Sequence, residues 1–292
     1  MANPFLIIGR TGQVASELQL LFTQTQTSFV GIDRTSLDLA TLTDPAPLTA
    51  FIDEHQPRAI LNAAAYTAVD AAENDADTAA RVNAHAPGHM ADACAHAGIP
   101  LVHISTDFVF DGNADTPYTE DMPCNPLGVY GQTKYEGEMR VRDSGAVHAV
   151  LRTSWVFSAH GKNFVKTMLR LGTAHDKLTV VADQWGGPTP AGAIARAMVT
   201  VAEGLISAPE KSGLYHFAGT PPTNWAGLAR SSLCAAGITT PVEDITTAQY
   251  PTPARRPAYS VLNCDKINHT FGITSPDWEK SLIGIVRELK QV

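Results

Sequence analysis

Two side chains suited to moving a proton stand one helical turn apart in the run Tyr130-Gly131-Gln132-Thr133-Lys134. Residues four apart in a helix share a face. A phenol of ordinary pKa, ~10, is a slow acid or base near neutrality. A neighbouring cation stabilises the phenolate and draws that pKa towards the working range. The same Lys134 ammonium is suited to hydrogen-bonding the ribose of a nicotinamide cofactor. Such a pair also arises by chance, and Ser105-Thr106-Asp107 is what gives it weight. That triplet is expected where a buried strand ends, and ligands of an open parallel sheet bind at the carboxyl edge of its strands. A Thr106 hydroxyl there could hold a substrate carbonyl beside the Tyr130 phenol.

A second constellation suits a dinucleotide. Gly9-Arg10-Thr11-Gly12-Gln13-Val14-Ala15 lies between a short apolar run and a helix-period stretch. Unpaired amides at a helix N-terminus favour a pyrophosphate, and glycines allow the backbone to approach it. Asp33, 24 residues after Gly9, ends the next apolar run and is placed to accept hydrogen bonds from adenosine ribose hydroxyls. Asp33 would repel a 2′-phosphate, which favours NAD(H); Arg34 beside it would neutralise one, which favours NADP(H). Both cofactors stay open.

These groups must be held by alternating strands and helices. Phe5–Ile8 is a continuous apolar run, as in a strand covered on both faces. Val14, Leu18, Leu21 and Phe22 then fall on one helical stripe. Strands follow at 28–32, 59–61, 101–104 and 147–151. Asp44-Pro45 opens a helix that buries Leu48, Phe51 and Ile52, and an Ala-rich helix over 79–97 closes at Gly98. The expected class is α/β, a doubly wound parallel sheet of Rossmann type with a smaller C-terminal substrate-binding lobe. Residues 1–154 are the expected dinucleotide-binding domain, with 193–218 returning to it as helix and strand. Residues 155–192 and 219–292, where Pro and Gly thicken, make the substrate-binding lobe. Trp278, Leu282, Ile285 and Val286 have the spacing of a core helix face.

Composition excludes other classes. The 292 residues are 44% apolar, and 21 cationic against 29 anionic side chains leave a net charge of −8. Nucleic acid and anionic membrane surfaces are disfavoured partners. No stretch resembles a membrane span, and the N-terminus lacks the basic segment of a secretory signal. The four cysteines form no CxxC pair and read as reduced thiols. A soluble cytoplasmic protein, monomer or homodimer, acting on a small molecule is the expectation.

The glycine turn, Asn62-Ala63-Ala64-Ala65, Ser105-Thr106-Asp107 and the Tyr130/Lys134 pair together resemble the extended short-chain dehydrogenases/reductases. Ser105-Thr106-Asp107-Phe108-Val109-Phe110-Asp111-Gly112, Arg152-Thr153-Ser154-Trp155-Val156, Asp183-Gln184-Trp185-Gly186 and Tyr250-Pro251-Thr252-Pro253-Ala254-Arg255-Arg256-Pro257 narrow the likeness to the dTDP-4-dehydrorhamnose reductase family. The resemblance implies NAD(P)H-dependent reduction of the C4 ketone of dTDP-4-dehydro-L-rhamnose, a step in making deoxysugar for cell-surface polysaccharide. It implies Tyr130 as proton donor, Lys134 as its partner and ribose ligand, and Thr106, Asp107 and Trp155 at the sugar. Gly9, Thr11, Gly12, Gln13 and Val14 would hold the pyrophosphate, Asp33, Arg34, Asp38 and Leu39 the adenosine, and Ala64, Ala65, Tyr66 and Thr67 the cofactor channel. Arg255 or Arg256 would meet the substrate diphosphate. The chain departs from the family pattern at Ala15, at Phe108, and at Gly192, where some relatives carry a magnesium-binding glutamate; with only Glu17 and Glu288 remaining, no metal is expected. The alternatives are another nucleotide-sugar reductase or epimerase, or a non-catalytic cofactor-binding subunit.

Overall fold

A computed structural model describes residues 3–290. Its central sheet has six strands: β1 (Phe5–Ile8), β2 (Phe29–Ile32), β3 (Ala59–Asn62), β4 (Leu101–Thr106), β5 (His148–Thr153) and β6 (Gly213–His216). They lie in the order β6-β5-β4-β3-β1-β2, and every pairing is parallel. From β1 the chain crosses one way into β2, then back across β1 to β3. The strand order therefore reverses between β1 and β3, and the ends of those strands flank a crevice.

The alternation of side chains along a strand divides β1 between two cores. Phe5 and Ile7 enter one apolar cluster, Leu6 and Ile8 the other, and all four are buried. Helix α1 (Gln13–Gln24) covers the first face, and α2 (Ala46–His55) covers the second with Leu48 and Ile52. Asp44 accepts from the Ala46 amide at 2.8 Å, so the Asp-Pro signal starts α2 as expected.

The Ala-rich stretch is not one continuous helix. A helix over Ala76–Ala80 widens into a π turn at Arg81–His85 before α3 (Ala86–Ala97), which Gly98 closes with φ +67°. Pro87 is the physical reason: it has no N–H for the Asn83 carbonyl, and its ring crowds that oxygen. Asn83, inside the π turn, ties the loop after β3 to the helix that carries Thr133. Its Oδ1 accepts from the Tyr66 amide (2.8 Å), and its Nδ2 donates to the Tyr66 carbonyl (3.1 Å) and to Thr133 Oγ1 (3.3 Å).

Helix α4 (Val129–Asp143) carries Tyr130 and Lys134. It lies against its neighbours backbone to backbone. A Cβ on Gly131 would stand 2.2 Å from the Phe108 carbonyl oxygen, and one on Gly137 2.1 Å from that of Asn83. Beyond β5 come α5 (Phe164–Ala174), three short strand pairs (Val156–Phe157 with Thr189–Pro190, Leu178–Val181 with Val242–Ile245, Trp185–Gly186 with Thr223–Asn224), α6 (Ala191–Ser207), α7 (Trp225–Ala236) and α8 (Trp278–Leu289). Helix α6 packs beside α1, and β6 completes the sheet. Trp278, Leu282 and Val286 of α8 are buried with Phe157, Val165 and Leu228 in a separate cluster.

Gly137→Ala tests the α4 packing. In an exposed helix that change stabilises by up to ~1 kcal/mol. Here overpacking against Asn83 should cost ~1–3 kcal/mol, lowering Tm by roughly 2–5 °C in a thermal melt. An unchanged or raised Tm contradicts the contact.

Candidate active site

The turn after β1 fits an anionic ligand. Gly9 has φ +94°, and a Cβ there would stand 3.1 Å from Ala64, so the β1 and β3 loops meet across the crevice. Gly12 caps α1 with no side-chain hydrogen bond, and the first turn contains no acid. The amides of Gln13, Val14 and Ala15 are thus uncapped donors beside Thr11. The Gln13 side chain points elsewhere: Oε1 accepts from Asn163 (2.9 Å) and Ser158 (3.2 Å), and Nε2 donates to the Val156 carbonyl (3.2 Å). Only its backbone faces the turn. Ala15 is fully buried, so its methyl group fits the helix–strand contact.

At the end of β2, Asp33 Oδ1 accepts from the Thr35 amide (2.9 Å), the Thr35 hydroxyl (2.5 Å) and the Ser36 amide (3.2 Å). These bonds hold its carboxyl below the usual range and leave Oδ2 facing Arg10 at 3.8 Å. Arg34 is exposed and lies 3.6 Å from Asp38, whose carboxylate also accepts from the Ala40 amide; Leu39 between them is buried. Across the crevice, Asn62 holds the Ala64 amide (3.1 Å), Asn83 holds Tyr66, and Ala65 and Thr67 complete the loop.

The proton-handling groups meet at the end of β4. The Thr106 hydroxyl accepts from the Phe108 amide (3.2 Å) and donates to Asp107 Oδ1 (3.1 Å). Ser260 donates to Asp107 Oδ2 at 2.6 Å. Burial pushes the Asp107 carboxyl up to about 6 against these bonds. Phe108 meets the Tyr130 ring edge-on, 5.6 Å between centroids, and the Thr106 hydroxyl lies near enough to the phenol to act on its pKa. Burial pushes the phenol up to about 12, and Asp107 adds to that, while Thr106 opposes it.

Lys134 is engaged on its β4 side. It shares a helix face with Tyr130, but its Nζ donates to the Ile104 carbonyl (2.6 Å) and lies 3.3 Å from His103 Nε2. Burial pulls it down to about 8. The Thr106 hydroxyl is the group that opposes the rise of the phenol's pKa.

The two arginines also separate. Arg256 forks onto Asp70 (2.8 and 3.1 Å), and its Nη1 donates to the Thr252 hydroxyl and the Ala254 carbonyl. These bonds tie its segment to Asp70 and occupy both Nη atoms. Arg255 is exposed. Trp155 sits at φ +48°, a strained conformation for a bulky side chain. Its ring stacks on Trp225 at 3.6 Å and 8°, and Phe164 packs against Trp225 in turn. Glu17 adjoins Gly192, and its carboxyl is raised, first by burial; His160 and Arg196 oppose that rise and Glu288 adds to it.

Sequence reasoning passed over Asn83, His103, Asp70, Ser260 and Trp225. His103 had a visible signal, a titratable residue inside the apolar strand Leu101-Val102-His103-Ile104. The others had none, because their partners are remote in sequence.

The fold and the site define a Rossmann-type oxidoreductase. The family model for the RmlD substrate binding domain matches residues 3–291. A dTDP-4-dehydrorhamnose reductase of Sinorhizobium fredii is 41% identical over 281 residues, 94% of each chain. The crystal structure of the Clostridium acetobutylicum dTDP-4-dehydrorhamnose reductase superposes with a TM-score of 0.90 at 35% identity, covering 98% of this chain and 99% of that one. The Bacillus anthracis dTDP-4-dehydrorhamnose reductase, solved in complex with NADP, gives 0.90 at 32%, covering 99% and 100%. The chain belongs to the dTDP-4-dehydrorhamnose reductase family.

Arg256 holds the Asp70 carboxyl below its usual range, so the pair contributes stability while Asp70 is ionised and loses it as pH falls through the depressed pKa. Asp70→Asn should therefore melt below wild type near neutral pH, with the gap closing under acid conditions. A gap that persists or widens in acid contradicts that linkage.

Proposed function

We propose that this chain reduces the C4 ketone of dTDP-4-dehydro-L-rhamnose to dTDP-L-rhamnose, with NADPH as reductant and NADH as an accepted alternative. The observation that carries the reading is the gathering of Thr106, Asp107 and Tyr130 at the end of β4, with uncapped amides at the start of α1, in a member of this family. The product would serve cell-surface polysaccharide synthesis. The residues around the glycine turn suit the cofactor, which supplies a hydride to the ketone carbon when bound.

The chain's own groups do the rest. Tyr130 donates its proton to the ketone oxygen as that oxygen gains charge, and a raised pKa keeps the phenol protonated until then. The Thr106 hydroxyl, turning its proton from Asp107 to the phenol oxygen, steadies the phenolate left behind. Asp107 and Trp155 meet the sugar, and Arg255 is the cation for its diphosphate. The Gly9, Thr11, Gly12, Gln13 and Val14 backbone receives the cofactor pyrophosphate. Asp33, Arg34, Asp38 and Leu39 surround its adenosine, Ala64, Ala65, Tyr66 and Thr67 line its channel, and Lys134 takes its ribose. Residues 1–154 with 193–218 form the dinucleotide-binding part, and the remaining C-terminal segments form the substrate-binding lobe. No helix among the described residues is long and apolar enough to cross a membrane, and we assign the chain to the cytoplasm as a monomer or homodimer.

Purified chain given NADPH and dTDP-4-dehydro-L-rhamnose should consume the reduced-nicotinamide absorbance. Tyr130→Phe should lower kcat ~10²–10⁴-fold and leave the NADPH Kd within a few-fold, because only the proton donor is lost. Near-normal turnover in that variant removes Tyr130 from the role.

A further inference from the structure

Behind the proposed proton donor runs a line of buried polar contacts that the proton transfer does not use. Asn62 at the end of β3 and His103 inside β4 are 0% exposed, and Lys134 on α4 is 1% exposed. The polarity of each bond follows from one end of the line. The Ala64 amide can only donate, so the Asn62 atom facing it at 3.1 Å is the carbonyl oxygen. The Asn62 NH₂ group must then face His103 Nδ1, 2.8 Å away, and Nδ1 accepts. A neutral imidazole with Nδ1 bare carries its proton on Nε2. That Nε2–H faces Lys134 Nζ at 3.3 Å, while Nζ donates to the Ile104 carbonyl at 2.6 Å. An ammonium has three donors and no acceptor, so it would set N–H against N–H here. A free amine has a lone pair to receive the imidazole proton.

We propose that His103, oriented by Asn62, is a positioning residue for Lys134: its Nε2–H fixes the amine over the Ile104 carbonyl and favours the uncharged form. The consequence for cofactor affinity rests on Lys134 being the ribose ligand; the bonding pattern does not. Burial acts in the same sense, holding His103 well below its ordinary pKa, with Lys134 adding to that, and drawing Lys134 down to about 8. The groups facing Lys134 are His103 and the Ile104 carbonyl of β4, with Tyr130 and Glu138 one turn to either side on α4. Only Glu138 favours the ammonium, and its carboxylate is already engaged by Arg152 of β5 and Ser105 of β4. The loop that contacts the cofactor is thus linked to the lysine through two side chains, Asn62 and His103.

Two measurements test this without sugar or turnover. Histidine-ring ¹⁵N NMR of the wild-type chain should show His103 with Nδ1 bare and Nε2 protonated, with no titration between about pH 6 and 9. A ring protonated on Nδ1, or one that titrates in that range, overturns the proposal. The second is NADPH affinity against pH in wild type, His103→Gln and His103→Phe. Wild-type affinity should weaken above about pH 8 as Lys134 loses its proton. His103→Phe removes the opposing N–H and should move that break upward by about one pH unit, roughly tenfold in affinity at the alkaline end. His103→Gln keeps a donor towards Nζ and should keep the wild-type break. A break unmoved in a folded His103→Phe overturns the proposal, and if that variant fails to fold, the tautomer and the Gln variant decide. A chain that binds no NADPH overturns the proposed function instead, leaving the tautomer as the deciding result.

Discussion

The attachment of α4 to the sheet depends on a buried ion pair. Arg152 of β5 and Glu138 of α4 meet at 2.6 Å with side chains 2% and 5% exposed. Charges so buried are tolerated only when their remaining hydrogen bonds are met, and removing one partner costs ~3–5 kcal/mol. Here they are met. Arg152 Nε forks onto both Glu138 oxygens (2.9 and 3.2 Å), Ser105 donates to Glu138, and the guanidinium reaches Cys124 Sγ (3.0 Å) and lies over Phe110. Such a pair specifies register more than it adds stability. One turn along the same helix come Lys134 over Ile104 and, one turn further, Tyr130 against Thr106. A shift of α4 by one residue would break all of these together, so the pair fixes where the phenol sits.

The second constraint comes from the C-terminal half, which reaches back at two places onto the segments that follow β3 and β4. Ser260 grips the outer oxygen of Asp107, and the Thr252-to-Arg256 segment is tied to Asp70 by a guanidinium and by the Ala254 amide (3.2 Å). Pro251, Pro253 and Pro257 stiffen that segment. The carboxylate beside the reacting hydroxyls is therefore set by both halves of the chain, and Trp155, strained and stacked on Trp225, stands at the join. Positioning from two sides suits a site that must hold a bulky sugar against a cofactor on a different loop.

How much of this was legible in the sequence follows from how local each cause is. The continuous apolar run Phe5–Ile8, the Gly9-to-Gly12 turn and Asp44-Pro45 act within a few residues, and the structure has them where the pattern puts them. The return of helix Ala191–Ser207 and strand Gly213–His216 to the sheet was legible for the same reason. The π turn was not, because the Ala-rich stretch 79–97 reads as one helix straight through Pro87, and only the packing of Gly137 on the Asn83 carbonyl shows what the widened turn accommodates. Helix α4 has almost no apolar stripe, so periodicity says little of how it is held. The two arginines looked alike until Asp70, 186 residues away, claimed one. Lys134 was read by its distance from Tyr130 along the helix, whereas its contacts are set by β4.

The central claim is a chemical one: hydride arrives at C4 of the sugar and a proton reaches its oxygen from this site. Following the reaction with NADPH deuterated at the transferable position tests it most directly. NMR of the product from dTDP-4-dehydro-L-rhamnose should show deuterium at C4 of the 6-deoxyhexose, one atom for each cofactor oxidised. Product without deuterium at C4, or sugar isomerised with no net loss of NADPH, would contradict the account and point to epimerisation on the same scaffold.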